Sequence, residues 1–172
     1  MPSVQDEVDR LVEAWHRERP DLDLAPMEVL SRVSRVSRQL EVARRAAFAE
    51  HGIEQWEFDV LAALRRAGSP YQLSPGRLLR ETLVTSGTMT NRVDRLTGRG
   101  LVARLPDPRD RRGVRVQLTD RGRETVDGAL VSLLDLEAPL LRTLGADDRD
   151  RLAGLLRRLA TSVGTDPAGP QV

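Results

Sequence analysis

Cysteine and lysine are both absent from this 172-residue sequence, histidine occurs twice, and aromatic residues make up 3%. Without cysteine there is no disulfide, no thiol nucleophile and no oxidisable sensor thiol, and the usual Cys/His zinc patterns are excluded. His16 and His51 have no serine or carboxylate at a telling offset. Gly98-Arg-Gly100 is too short to be a dinucleotide fingerprint, and no other glycine-rich phosphate loop is present. These absences argue against an enzyme, and no cofactor or metal is expected. No segment approaches the roughly 20 apolar residues of a membrane span. From Met1 to Arg19 acidic, basic and apolar residues alternate instead of forming a signal-peptide core. A cytoplasmic protein with no membrane partner is the expectation.

Hydrophobic residues make up 40% of the chain and charged residues 31%, so a core must be built mainly from Leu, Val and Ala, a mixture that favours helices. The net charge of +1 hides a strong partition. Residues 1–71 hold 10 Arg against 13 acids, residues 72–123 hold 12 against 5, and residues 124–172 hold 5 against 8. A basic middle between two acidic ends is the pattern expected when one segment meets phosphate and the others meet protein or water.

Val4, Val8, Leu11, Val12 and Trp15 recur at helical spacing, and Pro20 closes that segment. A long amphipathic helix follows from about Pro26, carrying Val29, Leu30, Val33, Val36, Leu40, Ala43 and Ala47 to about Glu50, with Gly52 as its stop. A third helix is predicted from about Glu54 to Arg66, burying either Phe58 with Leu61 and Ala62 or Trp56 with Val60 and Leu64. No strand is expected up to the break at Ala67–Pro70. Ser74-Pro75 reads as an N-cap and first-turn proline opening a short helix through Leu78 and Leu79. Ser86 reads as the N-cap of another helix reaching about Arg99, terminated by Gly100. Two helices so closely spaced form a helix-turn-helix signature.

Residues 101–105 and 113–118 alternate like strands, and the polar stretch 106–112 joins them as a hairpin loop. Such a hairpin after a helix-turn-helix is a wing. Thr119 caps a helix running from Asp120 to about Leu144 with an interruption at Pro139, and 147–160 supplies the last helix. The tail 164–172, rich in Gly and Pro, is expected to be disordered. The fold class is therefore mainly α with a small β-hairpin wing. Its expected divisions are dimerisation helices over 1–50 and 120–163 and a DNA-binding winged helix-turn-helix over 51–119.

On the helix beginning at Ser86, Met89, Val93 and Leu96 share one face, which is assigned to the core. Asn91 and Arg95 lie opposite Val93 with Thr88 nearby, and Ser86 and Thr90 occupy the first turn; these five are the candidate DNA-facing residues. Arg suits guanine, Asn adenine, and Thr a base edge or thymine methyl. Arg109, Arg111 and Arg112 of the wing are candidates for a minor groove or its flanking phosphates, while Asp107 and Asp110 pair with neighbouring arginines and shape the loop. A solvated polar helix face and a mixed-charge loop are the bland alternatives, and a winged helix used for protein association is the competing function.

Residues 73–123 closely resemble the MarR family of bacterial regulators. The matching text is Ser86-Gly-Thr-Met-Thr-Asn-Arg-Val-Asp-Arg-Leu96, Gly100-Leu-Val, Asp107-Pro-Arg-Asp-Arg-Arg112 and Leu118-Thr-Asp-Arg-Gly122. The resemblance implies a mostly helical homodimer on double-stranded DNA, with terminal helices intertwined and a pseudo-palindromic operator; repression is the family expectation. The segment Trp15-His-Arg-Glu-Arg-Pro-Asp-Leu-Asp23 ahead of Met27 looks like the sub-branch that responds to urate or related ligands. That resemblance places effector-responsive residues at Trp15, Asp59, Arg92 and Arg104. Their alternative reading is a structural Asp59–Arg92 ion pair with Trp15 as ordinary interface packing, and phenolic ligands remain open beside urate and other purines.

Overall fold

The computed structural model describes residues 5–82, 85–108 and 110–164, with backbone alone at 110–112 and 163–164. Helix α1 (Glu7–Glu18) is capped by Asp6, whose carboxylate accepts from the Val8 and Asp9 amides, and α2 (Ala25–Glu50) follows with Pro26 in its first turn. Arg32 of α2 donates to both Asp6 and Asp9, stapling the two helices. Gly52, at φ +64°, provides the left-handed turn that ends α2. Helix α3 spans Gln55–Arg66, α4 spans Pro75–Thr82, and α5 spans Ser86–Gly98. Strands β2 (Val102–Asp107) and β3 (Asp110–Leu118) form the wing; α6 (Asp120–Glu137), a 3-10 turn (Ala138–Leu141) and α7 (Ala146–Gly164) complete the described chain.

Mostly helical structure with a hairpin wing is thus the architecture. The sheet is larger than the sequence suggests, because Gln72–Leu73 forms a short strand, β1, on the outer edge of β3, giving the order β1-β3-β2. Two residues carry too little periodicity to announce a strand; pairing with Val116 and Gln117 makes one. The hairpin strands also reach further than alternation predicts. Val102 pairs with Leu118 through to Pro106 with Val114, then a bulge lets Asp107 oppose Asp110, so the stretch 106–112 is mostly ladder rather than loop.

Helix α3 is the centre of the core. Val60 through Leu64 are all buried while Trp56 and Phe58 pack partly against it, so both of its alternative apolar faces are used. Phe48 of α2, Leu78 of α4, Met89, Val93 and Leu96 of α5, Val116 of β3, and Val126 and Ala129 of α6 close around it. The Thr119 hydroxyl caps α6, accepting from the Gly122 amide. Helix α6 stops at Glu137 and Pro139 falls in the 3-10 turn, as a ring that cannot donate an amide hydrogen requires. Gly164 belongs to α7, which corrects the expected start of the tail; residues 165–172 lie outside the described ones.

The terminal helices leave much apolar surface uncovered: Leu11, Val29, Leu30, Val33, Val36, Leu130, Val131, Leu134, Leu152, Leu155 and Leu156 are all exposed in the single chain. Among the described residues no helix is long and apolar enough to cross a membrane.

Candidate nucleic-acid interface

Helix α5 turns Met89, Val93 and Leu96 into the core, each at most 2% exposed, and thereby fixes which side faces outward. Ser86, Thr88, Thr90, Asn91 and Arg95 all lie on the exposed side. The cap itself sits one residue earlier than the sequence suggests. Thr85 has the extended N-cap conformation and Ser86 is the first helical residue. The Thr85 and Thr88 hydroxyls share a hydrogen bond of 2.9 Å, and the Thr90 hydroxyl donates to the Ser86 carbonyl. The first turn of a helix leaves backbone amides without an intrahelical partner, a setting suited to a phosphate.

Arg95 is exposed but engaged. Its Nη2 donates to Glu54 Oε1 at 3.0 Å, and its guanidinium lies 4.7 Å from the centre of the Trp56 ring. Trp56 Nε1 donates to the other Glu54 oxygen at 2.8 Å, and Arg92 approaches the same ring at 5.4 Å. The indole of α3 is thus bracketed by two arginines one turn apart on α5.

In the wing, Arg115 Nε donates to Asp107 Oδ2 at 2.6 Å, so Asp107 is paired across the hairpin. Arg109 and the side chains of Asp110, Arg111 and Arg112 lie outside the described residues. Arg104 of β2 forms a 2.8 Å ion pair with Asp94, joining the wing to α5.

The four effector candidates are only partly assembled. Asp59 lies exposed at the mouth of the cleft that Trp56 lines; partial desolvation by the surrounding protein raises its carboxyl above the ordinary value of 3.8, against the pull of Arg92, Arg66 and Arg44. It lines an open cleft of about 660 Å³ together with Glu41, Arg45, Ile53, Glu54 and Trp56. Arg92 reaches the edge of this group, whereas Arg104 is committed to Asp94. Trp15, on α1 and 46% exposed, is not part of that cleft.

Sequence reasoning overlooked the acidic end of α3. Glu57 is fully buried, its Oε2 accepting from the Glu54 amide and from Arg99, which also donates to the Gly52 carbonyl. An ion pair between residues 42 positions apart leaves no local signature; only the E-x-x-E spacing of Glu54 and Glu57 hints at a helix start.

This arrangement of helices and wing can be compared with known proteins. The chain is 37% identical over 153 residues to the HTH-type transcriptional regulator PecS of Dickeya dadantii, covering 89% of this chain and 92% of PecS. It belongs to the MarR family. The MarR family profile itself matches residues 51–113. A mutant MarR from E. coli complexed with operator DNA superimposes with a TM-score of 0.68 at 28% identity, covering 81% of this chain and 98% of that one. Bordetella bronchiseptica BpsR, described for regulation of its DNA binding by 6-hydroxynicotinic acid, gives a TM-score of 0.66 at 26% identity, covering 77% and 92% of the two chains. The MarR family comprises DNA-binding transcriptional regulators, not enzymes, and this chain is one of its winged-helix members.

Proposed function

We propose that this MarR-family regulator is a homodimeric repressor that binds a pseudo-palindromic operator and releases it on binding a small anionic aromatic ligand, urate or a related purine or phenolic anion. The observation that carries the DNA reading is α5, anchored by Met89, Val93 and Leu96 and presenting Ser86, Thr88, Thr90, Asn91 and Arg95 outward. These five face the DNA at the major groove, where they meet base edges or the phosphates that flank them, and Arg109, Arg111 and Arg112 of the wing meet the adjacent minor groove or its phosphates. Residues 51–119 are the DNA-binding unit, and 1–50 with 120–163 the dimerisation unit. The exposed leucines and valines of α1, α2, α6 and α7 support that division, since apolar rows of this extent are normally covered. Twofold symmetry sets the two recognition helices about one DNA turn apart.

For the ligand, the support is Asp59 lining the same cleft as Trp56, with Arg92 at its edge. An anion there gains charge-assisted hydrogen bonds from arginine and repels the Asp59 carboxylate, displacing α3 against α5. Arg104 contributes after leaving Asp94, and Trp15 contributes once α1 is brought to the cleft. The regulation of BpsR by an aromatic acid fits the same ligand class.

The test is a mobility titration on the DNA immediately upstream of the coding sequence, at fixed salt, with and without urate, alongside sedimentation of the free protein. A dimer, a shift, and relief of the shift by urate support the proposal. A shift indifferent to urate removes the ligand, a monomer removes the twofold operator, and no shift removes DNA binding. Calorimetry adds a reciprocal check, because a ligand that weakens DNA binding must bind the DNA complex more weakly by the same factor.

A further inference from the structure

The contact of Arg95 with Glu54 lies outside the buried core, at the start of α3, where the Trp56 ring packs only partly against that core. Arg95 and Glu54 are each about three-fifths exposed, at 61% and 60%, and neither belongs to the buried cluster. The geometry is nevertheless specific. Both Glu54 oxygens are used, one by Arg95 at 3.0 Å and one by Trp56 Nε1 at 2.8 Å, so the indole fixes the carboxylate that holds the arginine. The guanidinium also lies over the ring whose N–H is engaged, at 4.7 Å from its centre. The three groups form a closed triangle linking the start of α3 to the outer face of the recognition helix.

Two features separate Arg95 from the side chains of the first turns. It is the tenth residue of the 13-residue helix α5, whereas base readers on such helices cluster toward the N-terminal end. It also leans toward α3, along the flank of the helix. We infer that Glu54 and Trp56 form a clasp that competes with DNA for Arg95, and that on binding Arg95 exchanges the Glu54 carboxylate for a backbone phosphate, not a base. Glu54 and Trp56 are then positioning residues: they store a cation beside the DNA face and set how much affinity it adds. An exposed ion pair is weak enough to be exchanged, and the two non-bridging oxygens of a backbone phosphate can accept two parallel hydrogen bonds from the guanidinium fork, as a carboxylate can. The hydrogen bond from Trp56, then the one from Arg95 and the positive fields of Arg95 and Arg99, keep the Glu54 carboxyl below its usual range, against partial desolvation. The clasp therefore stays charged at neutral pH and must be broken, not titrated, to free the arginine.

This inference rests on the DNA-binding reading, and a mutant cycle keeps the two apart. Wild type, Glu54→Gln, Arg95→Ala and the double variant are titrated against the upstream duplex and a random-sequence duplex of equal length, at several salt concentrations, with melting curves confirming the fold. Glu54→Gln is expected to tighten binding to both duplexes by about two- to fivefold. That gain is expected to vanish in the Arg95→Ala background. Arg95→Ala alone is expected to weaken both duplexes and reduce the log–log salt slope by about 1. A gain that persists without Arg95 means Glu54 simply repels DNA, and overturns the clasp. A gain or loss confined to the upstream duplex overturns the phosphate assignment in favour of base reading. No gain from Glu54→Gln overturns the competition. Absence of any binding by the wild type removes the DNA reading itself, and the clasp with it.

Discussion

Arg65 of α3 donates through Nε to Asp127 of α6 at 2.8 Å, and its guanidinium also covers the Tyr71 ring at 5.0 Å, with Arg123 of α6 at 5.9 Å from the same ring. One arginine therefore ties the central helix of the winged unit to the first C-terminal helix. Exposed pairs of this kind contribute roughly 0–1 kcal/mol and a cation over an exposed ring a similar amount. Arg65→Ala is expected to lower the urea midpoint by a small but measurable amount, with the slope unchanged. A variant as stable as wild type would show that the junction is held by α3–α6 apolar packing alone.

Gly122 faces a backbone atom that cannot move aside. A Cβ placed there would stand 2.0 Å from the Leu101 carbonyl oxygen and 3.0 Å from both its carbon and a Leu118 methyl. Gly122→Ala must push α6 away from the start of the wing, at a cost of about 3 kcal/mol or more. Thermal melting checks this, and an unchanged midpoint would refute the close approach. Gly154, with nothing within 4 Å of a Cβ, is the internal control.

The two faces of α5 should separate cleanly under mutation. Met89→Ala removes a side chain that is 1% exposed and is expected to cost about 2–5 kcal/mol, with DNA binding lost as the helix loosens. Asn91→Ala removes an exposed side chain and should leave stability within about 0.5 kcal/mol. It should relax base preference by about 1–3 kcal/mol of discrimination. Equal losses on specific and random DNA for Asn91→Ala would place that residue off the base edges.

Asp59 gives a pH signature opposite to that of an ordinary paired carboxylate. Its folded pKa lies above the ordinary 3.8 because partial desolvation at the cleft penalises the charge, with Arg92 the largest opposing influence. The folded state therefore binds the proton more tightly than the unfolded one. The stability linked to that proton is present at low pH and lost as pH rises through the folded value. Asp59→Asn, neutral throughout, should be more stable than wild type at about pH 7 and indistinguishable below about pH 4. Urea titrations at the two pH values decide it. A destabilised Asn variant at neutral pH would make Asp59 a structural ion-pair partner of Arg92 instead of a group kept at a cost in stability for a ligand.

Much of the architecture was legible because its signals are local. Ser74-Pro75 opens α4, with the Arg77 amide reaching Ser74 Oγ; Thr119 caps α6; Gly52 and Gly100 end their helices at φ +64° and +70°. The three-and-four spacing of Met89, Val93 and Leu96 marks the core face of α5. Strand β1 was hidden because two residues have no period, and the hairpin was longer than its alternation because a bulge breaks the pattern before the ladder ends.

The amino-acid sequence by itself determined the helical composition, the order of elements, the basic middle segment and which face of α5 is turned outward. Each of these follows from periodicity, capping and charge within a few neighbouring residues. Tertiary structure alone decided that both apolar faces of α3 are used, that Arg104 answers Asp94, and that Arg95 rests on Glu54 and Trp56. Those contacts join side chains up to 41 residues apart, and charge or ring type says only that a partner is wanted. Which partner is met depends on how helices cross and which faces they bury, a property of the packed chain as a whole.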